Sequence, residues 1–475
     1  MKLTTTLSLL LTFPSLASAE VDFLRDVAPV LLRRCSGCHG PRKAEGDYRI
    51  HTFLFLMSAG TSGFPAVVPG KPDESELLLR IRETDESMRM PQQDDTLPIT
   101  DQKLIEQWIR EGARFEGVSD LPLTRQLPPR DHASAPVQYR IPIPIQAVAF
   151  SHSGDLLASS GYREVIIWDA VTGQLVQRIN HLPQRIQSID WSRDDSLLLI
   201  GGGVPGEYGE VSLVNVASGK RTRVLATFED IVMDSNFNFD HSKVAAVSAG
   251  SRTQVVDLRS GQVMWESRVH SDWATGVTFS QEDRFVVTTS RDQTVKVQDA
   301  TTGDLFTTYN GHRKQLGEYI GRFAVYAIER EPESGQLITV GEGKAARIWL
   351  PEQARAENGT AADMEGRFFK KGHTRFIEHQ LSKPVLALAV AEGNVFMAGA
   401  NGIVRVYRFH DFTHLRDLTG NQDWIFSLSA SHTSPYLATG SFDGIIRIWN
   451  YESGTELLSF HAAPGYPATA ETRSK

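Results

Sequence analysis

The sequence predicts a multidomain protein in which a small all-α domain precedes a larger all-β domain. Three observations predict it. Both cysteines and two segments of helical apolar spacing lie before residue 116, residues 116–137 are rich in proline and polar residues, and the remainder alternates short β-branched runs with Gly, Asp and Ser turns. The predicted boundaries are 1–19 for a signal peptide, 20–115 for the α domain, 116–137 for a linker, 138–467 for the β domain and 468–475 for a C-terminal tail.

The composition excludes several classes of protein. The chain has 475 residues, of which 41% are hydrophobic and 22% charged, so it can fill more than one core and is neither disordered nor collagen-like. Its net charge of -8 argues against a nucleic-acid partner, because duplex binders gain affinity by neutralising phosphates with Lys and Arg. Two cysteines are too few for a disulfide-rich scaffold.

The N-terminus has the pattern of a secretory signal peptide. Lys2 precedes an apolar stretch over about residues 3–13, and the small residues Ala17 and Ala19 fit a cleavage site before Glu20. The alternatives are a buried helix or a membrane anchor, but the apolar run is shorter than the roughly 20 residues that a bilayer span needs. We therefore expect an exported or periplasmic protein with no membrane span.

The two cysteines form one motif, Cys35-Ser36-Gly37-Cys38-His39. Two thiols separated by two residues can bond to the two vinyl groups on one edge of a porphyrin, and the adjoining imidazole can then ligate the iron. A thioredoxin-like pair would need a βαβ context, and a zinc site would need further ligands. The motif predicts one covalently attached haem c, held by both cysteines, with His39 as an axial ligand of the metal.

Two helices are expected to flank this motif. The first has apolar residues at helical spacing, includes Pro29 at the start of a short second turn, and delivers Cys35. The second is expected to begin at a cap on Thr100 or Asp101 and to end at Gly112. Its apolar stripe needs a partner, so the two helices are predicted to cross and close a haem crevice within residues 21–115. The apolar positions are Phe23, Val27, Val30 and Leu31 in the first helix and Leu104, Ile105, Trp108 and Ile109 in the second.

The sixth ligand of the iron must come from the same domain. The candidates are His51, Met57, Met88 and Met90. Met90 is preferred because Pro91 follows it and would stiffen the loop that holds its thioether. Alternatively, Met88 ligates while Met90 packs on the porphyrin, or the sixth position is open, which would favour small-molecule binding over electron transfer.

Residues 21–115 resemble the cytochrome c domains of planctomycete-type bacteria. Five separated blocks match in order, at residues 23–31 (FLRDVAPVL), 35–40 (CSGCHG), 68–77 (VPGKPDESEL), 88–91 (MRMP) and 108–113 (WIREGA). The resemblance implies covalent haem c on Cys35 and Cys38, with His39 and Met90 as the axial ligands. One departure is Gln92, where such domains usually have a second proline.

The second half of the chain is a repeat. Strand ends equivalent to Trp168 recur six more times, and each of the seven units contains four strand-like runs. A four-stranded unit cannot bury both faces alone, so the repeats predict a β-propeller, most simply of seven blades. The third and sixth units are weak, which leaves six or eight blades open. Residues 139–145 could complete the last blade, but Pro142 and Pro144 confine them to an edge. The equivalent positions are Val214, Val256, Gln298, Trp349, Tyr407 and Trp449.

The repeats are similar to those of WD40 propellers over residues 138–467. Trp168-Asp169 is an intact Trp-Asp pair, and Gly-His pairs end at His312 and His373. The fifth unit carries an insertion near residues 351–371. These two histidines, with His410 and His414, are expected to be structural, because none lies in a recognised ligand spacing.

Together these features predict an exported c-type cytochrome that transfers electrons through one covalent haem and docks a redox partner protein on a WD40 propeller. Phosphate loops, nucleophile elbows and H-E-x-x-H helices are missing from the sequence, so we expect an electron-transfer protein rather than a substrate-converting enzyme, with no catalytic residues. One alternative is a cytochrome-linked propeller oxidoreductase, by fold analogy alone. Another is a haem redox sensor on an interaction scaffold.

Overall fold

The computed structural model describes residues 20–466 except 42, 93, 313–314, 317–318, 321–322, 355–374 and 380. It consists of two compact units, residues 1–129 and 130–475. The predicted signal peptide and C-terminal tail, most of the insertion near residues 351–371, and His373 lie outside the described residues. Among the helices that are described, none is both long and apolar enough to cross a bilayer.

The first unit is helical, as predicted. A π-helical turn over Phe23–Val27 leads directly into the first helix, and the carboxylate of Asp22 accepts the backbone N–H of Arg25 at 2.7 Å. Pro29 lies in the first turn of that helix, where its missing N–H costs nothing. The helices are α1 (Ala28–His39), α2 (Phe53–Leu56), α3 (Glu76–Arg82) and α4 (Ile99–Arg110), with 3-10 turns at Glu45–Asp47, Pro72–Glu74 and Leu123–Arg125.

The start of α4 differs from the prediction. Neither Thr100 nor Asp101 caps it, because the helix begins directly after Pro98, whose φ of -50° and ψ of 140° turn the chain into the helix. The carbonyl of Pro98 accepts the N–H of Asp101 at 2.9 Å. Asp101 therefore lies inside the first turn, where its charge is favourable near the positive end of the helix dipole. Gly112 follows the helix end with φ +99°, as predicted.

An aromatic core joins the two ends of this unit. The rings of Phe23 and Trp108 are 4.8 Å apart, and Phe53 stacks on Phe115 at 4.1 Å. The indole N–H of Trp108 donates to the carbonyl of Arg114 at 2.9 Å, so the one polar atom of this buried ring is paired. The N-terminal turn, α2 and α4 are thereby packed into one core.

The second unit is a propeller of seven four-stranded antiparallel sheets. Each blade comes from one continuous stretch of chain, and its strands are hydrogen-bonded in chain order. A two-stranded hairpin, β17 (Gln315–Leu316) and β18 (Tyr319–Ile320), lies between the fourth and fifth blades along the chain.

Blade 1 comprises β1 (Val148–Phe150), β2 (Leu156–Ser160), β3 (Val165–Asp169) and β4 (Leu175–Ile179); blade 2 comprises β5 (Arg185–Trp191), β6 (Leu197–Val204), β7 (Tyr208–Asn215) and β8 (Lys220–Phe228). Blade 3 comprises β9 (Val232–Phe237), β10 (Lys243–Ser248), β11 (Thr253–Asp257) and β12 (Val263–Ser267); blade 4 comprises β13 (Ala274–Phe279), β14 (Phe285–Ser290), β15 (Val295–Asp299) and β16 (Leu305–Tyr309). Blade 5 comprises β19 (Val325–Arg330), β20 (Leu337–Gly341), β21 (Ala345–Trp349) and β22 (Arg375–Glu378); blade 6 comprises β23 (Val385–Ala391), β24 (Asn394–Gly399), β25 (Ile403–Arg408) and β26 (His414–Thr419). Blade 7 comprises β27 (Ile425–Ala430), β28 (Tyr436–Ser441), β29 (Ile445–Asn450) and β30 (Thr455–His461).

The first strands of the blades form the inner ring. Each contacts the first strand of the next blade, and β27 contacts β1, which closes the ring around a central channel. All seven positions that the sequence aligned with Trp168 lie in the third strand of a blade. Seven blades are thereby confirmed, and the alternatives of six and eight are wrong.

Ring closure does not use an exchanged strand. The sequence left open that residues 139–145 complete the last blade, but β30 already supplies the fourth strand of blade 7. The N–H of Tyr139 instead donates to the carbonyl of Pro464 at 3.1 Å, and that of Ile145 to the carbonyl of Ser441 at 3.1 Å. Pro142 between them has no N–H for a strand ladder, so this segment closes the ring through separate loop contacts.

Residues 130–139, which we call the strap, pack on the outer parts of blades 1 and 2. In blade 1, the guanidinium of Arg178 donates to the carbonyls of Pro136 at 2.6 Å and Val137 at 2.8 Å. It also pairs at 2.7 Å with Glu164, whose side chain is fully buried. The phenol of Tyr139 donates to the same carboxylate at 2.7 Å.

Blade 2 repeats this arrangement. Arg221 donates to the carbonyl of Arg130 at 2.6 Å and pairs at 2.7 Å with the buried carboxylate of Glu210. His132 lies 3.2 Å from the other oxygen of Glu210. Residues 130–137 of the predicted linker are therefore held against the propeller by two arginines, each of which also pairs with a buried glutamate.

Candidate functional site

The cysteine motif lies on the last turn of α1. Cys35 is partly buried against the core of the first unit, whereas Cys38 is exposed. The two residues are three apart on a helix, so their side chains are neighbours on one face. Both thiols are free, and burial raises the pKa of the Cys35 thiol to about 12, which keeps it protonated at neutral pH.

The chain leaves the motif through a tight turn. Gly40 ends α1, and a Cβ at this position would collide with the backbone carbonyl oxygen of Ser36. The carbonyl of His39 accepts the N–H of Ile50 at 2.8 Å, which ties the loop back to the helix end. The glycine that follows the motif is therefore required by a close backbone approach.

The ring of His39 is oriented by Tyr48. Its Nδ1 lies 3.3 Å from the carbonyl oxygen of Tyr48, and the two rings meet edge to face at 5.5 Å. Because a carbonyl can only accept, the neutral imidazole has its proton on Nδ1 and its lone pair on Nε2, the form in which histidine binds metals. The Tyr48 phenol donates to the carbonyl of Leu56 at 2.8 Å, and burial raises its pKa. Sequence reasoning missed Tyr48, because a contact made by a backbone carbonyl leaves no residue signature.

The methionine candidates differ in position. Met57 and Met90 pack against the same core as Cys35, whereas Met88 is outside that core and 46% exposed. The N–H of Met90 donates to the carbonyl of Arg80 at 2.9 Å, which joins its loop to the end of α3. Of the two methionines in the 88–91 block, only Met90 is thus placed in the apolar core that a haem would share.

His51 is the remaining candidate ligand. It stacks on Phe55 with ring centres 5.0 Å apart, and burial lowers its pKa. Its buried Nδ1 has no hydrogen-bond partner among the described residues. This neutral ring is available for a further contact, although it lies on the loop after the motif.

The donor set fits a c-type haem. It offers two free thiols in one helix turn, an imidazole held in a single tautomer, and a thioether in the same apolar core. Over the residues that the structure describes, groups of three or more His, Cys, Asp or Glu side chains suited to a metal ion do not occur.

Two of the histidines expected to be structural, His312 and His414, have contacts within the propeller. His312 is buried, its Nε2 lies 2.8 Å from Thr339 Oγ1, and burial lowers its pKa to about 3. The indole of Trp349 donates to the same hydroxyl at 3.3 Å. His414 Nε2 lies 2.8 Å from Asp417.

Three carboxyl groups lie on the inner strands of blades 2, 3 and 5. Asp190 accepts the N–H of Phe237 in the next blade at 3.0 Å, and Asp234 accepts that of Val277 at 2.9 Å. Desolvation within the ring raises the pKa of Asp190 to about 6, that of Asp234 to about 7 and that of Glu329 to about 8. The neighbouring carboxylates add to the last two shifts. The Asp190 and Asp234 side chains thus link adjacent blades at the cost of mutual repulsion.

Comparison with known families agrees with this division of the chain. Residues 35–94 match the family described as Planctomycete cytochrome C, and residues 142–169, 261–299 and 412–450 match the WD domain, G-beta repeat. The chain is therefore similar to planctomycete cytochrome C over residues 35–94 and to WD repeats over three stretches of its seven-bladed propeller. The first match includes the whole cysteine motif and Met90. The three WD matches cover the first three strands of blades 1, 4 and 7, and the last two matches also include the fourth strand of the preceding blade.

Curated relatives share the propeller repeats at low identity. Actin-interacting protein 1 of Drosophila melanogaster is 22% identical over 66% of this chain and 48% of its own length. Periodic tryptophan protein 2 of Saccharomyces cerevisiae is 23% identical over 66% of this chain and 35% of its own. WD repeat-containing protein 1 of Xenopus tropicalis is 21% identical over 66% and 49%. This chain thus spans about a third to a half of the length of these relatives.

Proposed function

We propose two roles for this protein, the first of which is that of a protein-interaction scaffold, supported by the WD40 repeats of the propeller. We propose that the protein is, in addition, an exported or periplasmic c-type cytochrome. In this proposal it carries one covalent haem c for electron transfer, and the propeller docks the redox partner protein.

The observation that carries the proposal is the orientation of His39 at the end of α1. Its Nδ1 is committed to the carbonyl of Tyr48, so Nε2 is the nitrogen left to bind a metal. Cys35 and Cys38 would hold the haem covalently, and Met90 would be the second axial ligand. A haem c with histidine and methionine ligands supplies a one-electron redox centre with a raised reduction potential.

Exposed apolar side chains in the first unit also support a bound group. Five large apolar residues between positions 54 and 88 are 38% to 64% exposed in this small unit. Apolar surface of this kind is normally covered by a ligand or a partner. These residues are Leu54, Phe55, Phe64, Leu79 and Met88.

The test is haem content. The full chain, produced in cells that mature c-type cytochromes, is expected to give a pyridine haemochrome spectrum of one haem c per chain and the mass of the processed polypeptide plus one haem. Cys35→Ala/Cys38→Ala should lose the covalent haem, while the matched variant Ser36→Ala within the motif should keep it. A colourless wild-type protein with the mass of its amino acids alone would overturn the proposal.

A further inference from the structure

Blade 4 holds a cation on an exposed tryptophan. Asp272 and Trp273 immediately precede β13, and Trp273 is 42% exposed. The backbone N–H of Trp273 donates to the carboxylate of Asp272 at 2.7 Å. The backbone carbonyl of Trp273 accepts the backbone N–H of Arg291 at 3.0 Å. The Arg291 guanidinium lies over the indole at 4.5 Å and 3.9 Å from the Asp272 carboxylate. An arginine is thus bound between an aromatic face and a carboxylate.

Blade 7 has the same Asp-Trp arrangement, which we call the frame, but within the described residues no cation lies on its tryptophan. Asp423 and Trp424 immediately precede β27, the Trp424 N–H donates to Asp423 at 2.8 Å, and the Trp424 carbonyl accepts the N–H of Phe442 at 2.8 Å. Phe442 therefore occupies the position of the arginine in blade 4. Across the described part of the chain, no guanidinium or ammonium lies over Trp424, and Asp423 has no ion-pair partner.

The surroundings of Trp424 add aromatic surface and negative charge. Phe426 lies 6.3 Å from the indole and 6.0 Å from the ring of Phe442. Trp424 and Phe442 are 49% and 51% exposed, so two of the three rings present large faces to solvent. Asp443 follows Phe442, and its carboxylate is fixed by the N–H of Ile445 at 3.1 Å.

We propose that Trp424 and Phe442, together with Asp423, bind an arginine side chain from a basic segment of a partner protein. The Asp423 carboxylate accepts the backbone N–H of Trp424, and the Trp424 carbonyl accepts that of Phe442, so the backbone that carries the indole is already fixed when the cation arrives. The arrangement in blade 4 shows that this frame accepts a guanidinium. The inference rests on the proposed docking role of the propeller and is independent of the haem.

The test uses a short peptide and its neutral counterpart. The full chain is labelled with 5-fluorotryptophan, each fluorine signal is assigned by Trp→Phe substitution, and acetyl-Gly-Arg-Gly-Arg-Gly-amide is titrated in low salt. We expect the Trp424 signal to shift while the Trp273 signal, already covered by Arg291, does not. The peptide with citrulline for arginine should bind at least about threefold more weakly, because it lacks the charge that the ring and carboxylate attract. Equal binding of the arginine and citrulline peptides would overturn the proposal.

Reciprocal substitutions sharpen the test. Phe442→Arg should reproduce blade 4, fill the frame from within the chain and abolish peptide binding at Trp424. Arg291→Ala should open the equivalent frame, so that the Trp273 signal now responds to the peptide. Asp423→Asn should weaken binding about threefold or more. If the peptide shifted the Trp424 signal as much in Phe442→Arg as in the wild type, the proposal would be contradicted.

Two controls separate misfolding and haem loss from these outcomes. The signal of the buried Trp349 and the thermal unfolding midpoint should be unchanged in each variant. The titration is repeated on the colourless Cys35→Ala/Cys38→Ala chain, where the peptide should bind as it does to the wild type. If the colourless chain binds the peptide, the docking site is supported even if the cytochrome proposal fails. If the wild type carries haem but does not bind the peptide, the docking proposal fails and the cytochrome proposal is unaffected.

Discussion

The imidazole Nδ1 of His39 lies 3.3 Å from the backbone carbonyl oxygen of Tyr48. The phenol of Tyr48 in turn donates to the carbonyl of Leu56 at 2.8 Å, so the loop that carries the accepting carbonyl is fixed to the end of α2. The orientation of the predicted iron ligand therefore depends on a residue nine positions later in the chain. Partners of this kind fix both the ring plane and the tautomer of a metal-binding histidine.

Tyr48→Phe should loosen this support. Loss of one buried hydroxyl-to-carbonyl hydrogen bond is expected to lower the free energy of unfolding of the first unit by about 1 kcal/mol. Denaturant titration followed by Trp108 fluorescence against a background of propeller Trp→Phe substitutions would measure it. Ser58→Ala is the matched control, because it removes an exposed hydroxyl-to-carbonyl bond in the same segment and should cost less. Equal losses in the two variants would contradict the role given to Tyr48.

Met90→Ala should change the sixth position of the proposed haem. The spectrum of the reduced protein is expected to lose its six-coordinate low-spin form, and carbon monoxide should bind without displacing a protein ligand. Met88→Ala is the control two residues away, and its exposed side chain predicts an unchanged spectrum. If Met57→Ala rather than Met90→Ala opened the site, the ligand assignment would pass to Met57, which packs on the same core.

Arg178→Met should strongly destabilise the propeller. It leaves the fully buried carboxylate of Glu164 without its cation and two strap carbonyls without a donor. Removing one partner of a buried ion pair typically costs about 3 to 5 kcal/mol of unfolding free energy. Arg408→Met breaks the exposed pair with Asp411 and should leave the unfolding midpoint nearly unchanged. Calorimetry of the full chain measures both, and similar midpoints in the two variants would show that the strap contributes little.

Most of the architecture could be predicted from the sequence because repeats and helical spacing are local signals. The seven strand ends equivalent to Trp168 indicate the blade count, and the C-x-x-C-H motif by itself locates the candidate site. Pro29 and Gly112 also lie where helix chemistry predicts them. The cap of α4 was missed because Thr100 and Asp101 are good capping residues, and Pro98 displaced them by fixing the turn itself.

Long-range contacts account for what the sequence did not predict. Residues 130–137 have the composition of a linker, but their carbonyls bind Arg178 and Arg221, which lie 41 to 91 positions further along the chain. The residue pairs Asp272-Trp273 and Asp423-Trp424 are visible in the sequence as a repeated dipeptide. Their difference, an arginine in one blade and Phe442 in the other, depends on a loop contact that only the fold reveals.

Glu329→Gln should stabilise the propeller at alkaline pH. The ordinary pKa of this carboxyl is 4.5 and its folded value is about 8, raised by desolvation and by Asp234 and Asp190. Between these values the folded state holds a proton that the unfolded chain releases, so the stability contributed by this group falls as pH rises. The difference between the unfolding midpoints of variant and wild type should therefore grow from pH 4 to pH 9 in favour of the variant. Parallel profiles would show that Glu329 is hydrated and independent of its neighbours.

His312→Gln should show the opposite dependence on pH. Burial and the nearby charge of Arg347 lower the pKa of His312 from 6.5 to about 3, so the folded protein keeps this ring neutral while the unfolded chain takes up a proton. The stability contributed by the ring is complete above about pH 6.5 and is lost as pH falls towards 3. The glutamine variant lacks this titration but also disturbs the bond to Thr339, so its midpoint should lie below that of the wild type at pH 7 and approach it by pH 4. His410→Gln, which replaces an exposed histidine, is the control and should follow the wild type at every pH. A constant gap between His312→Gln and wild type across this range would mean that the folded ring takes up a proton as readily as the unfolded one.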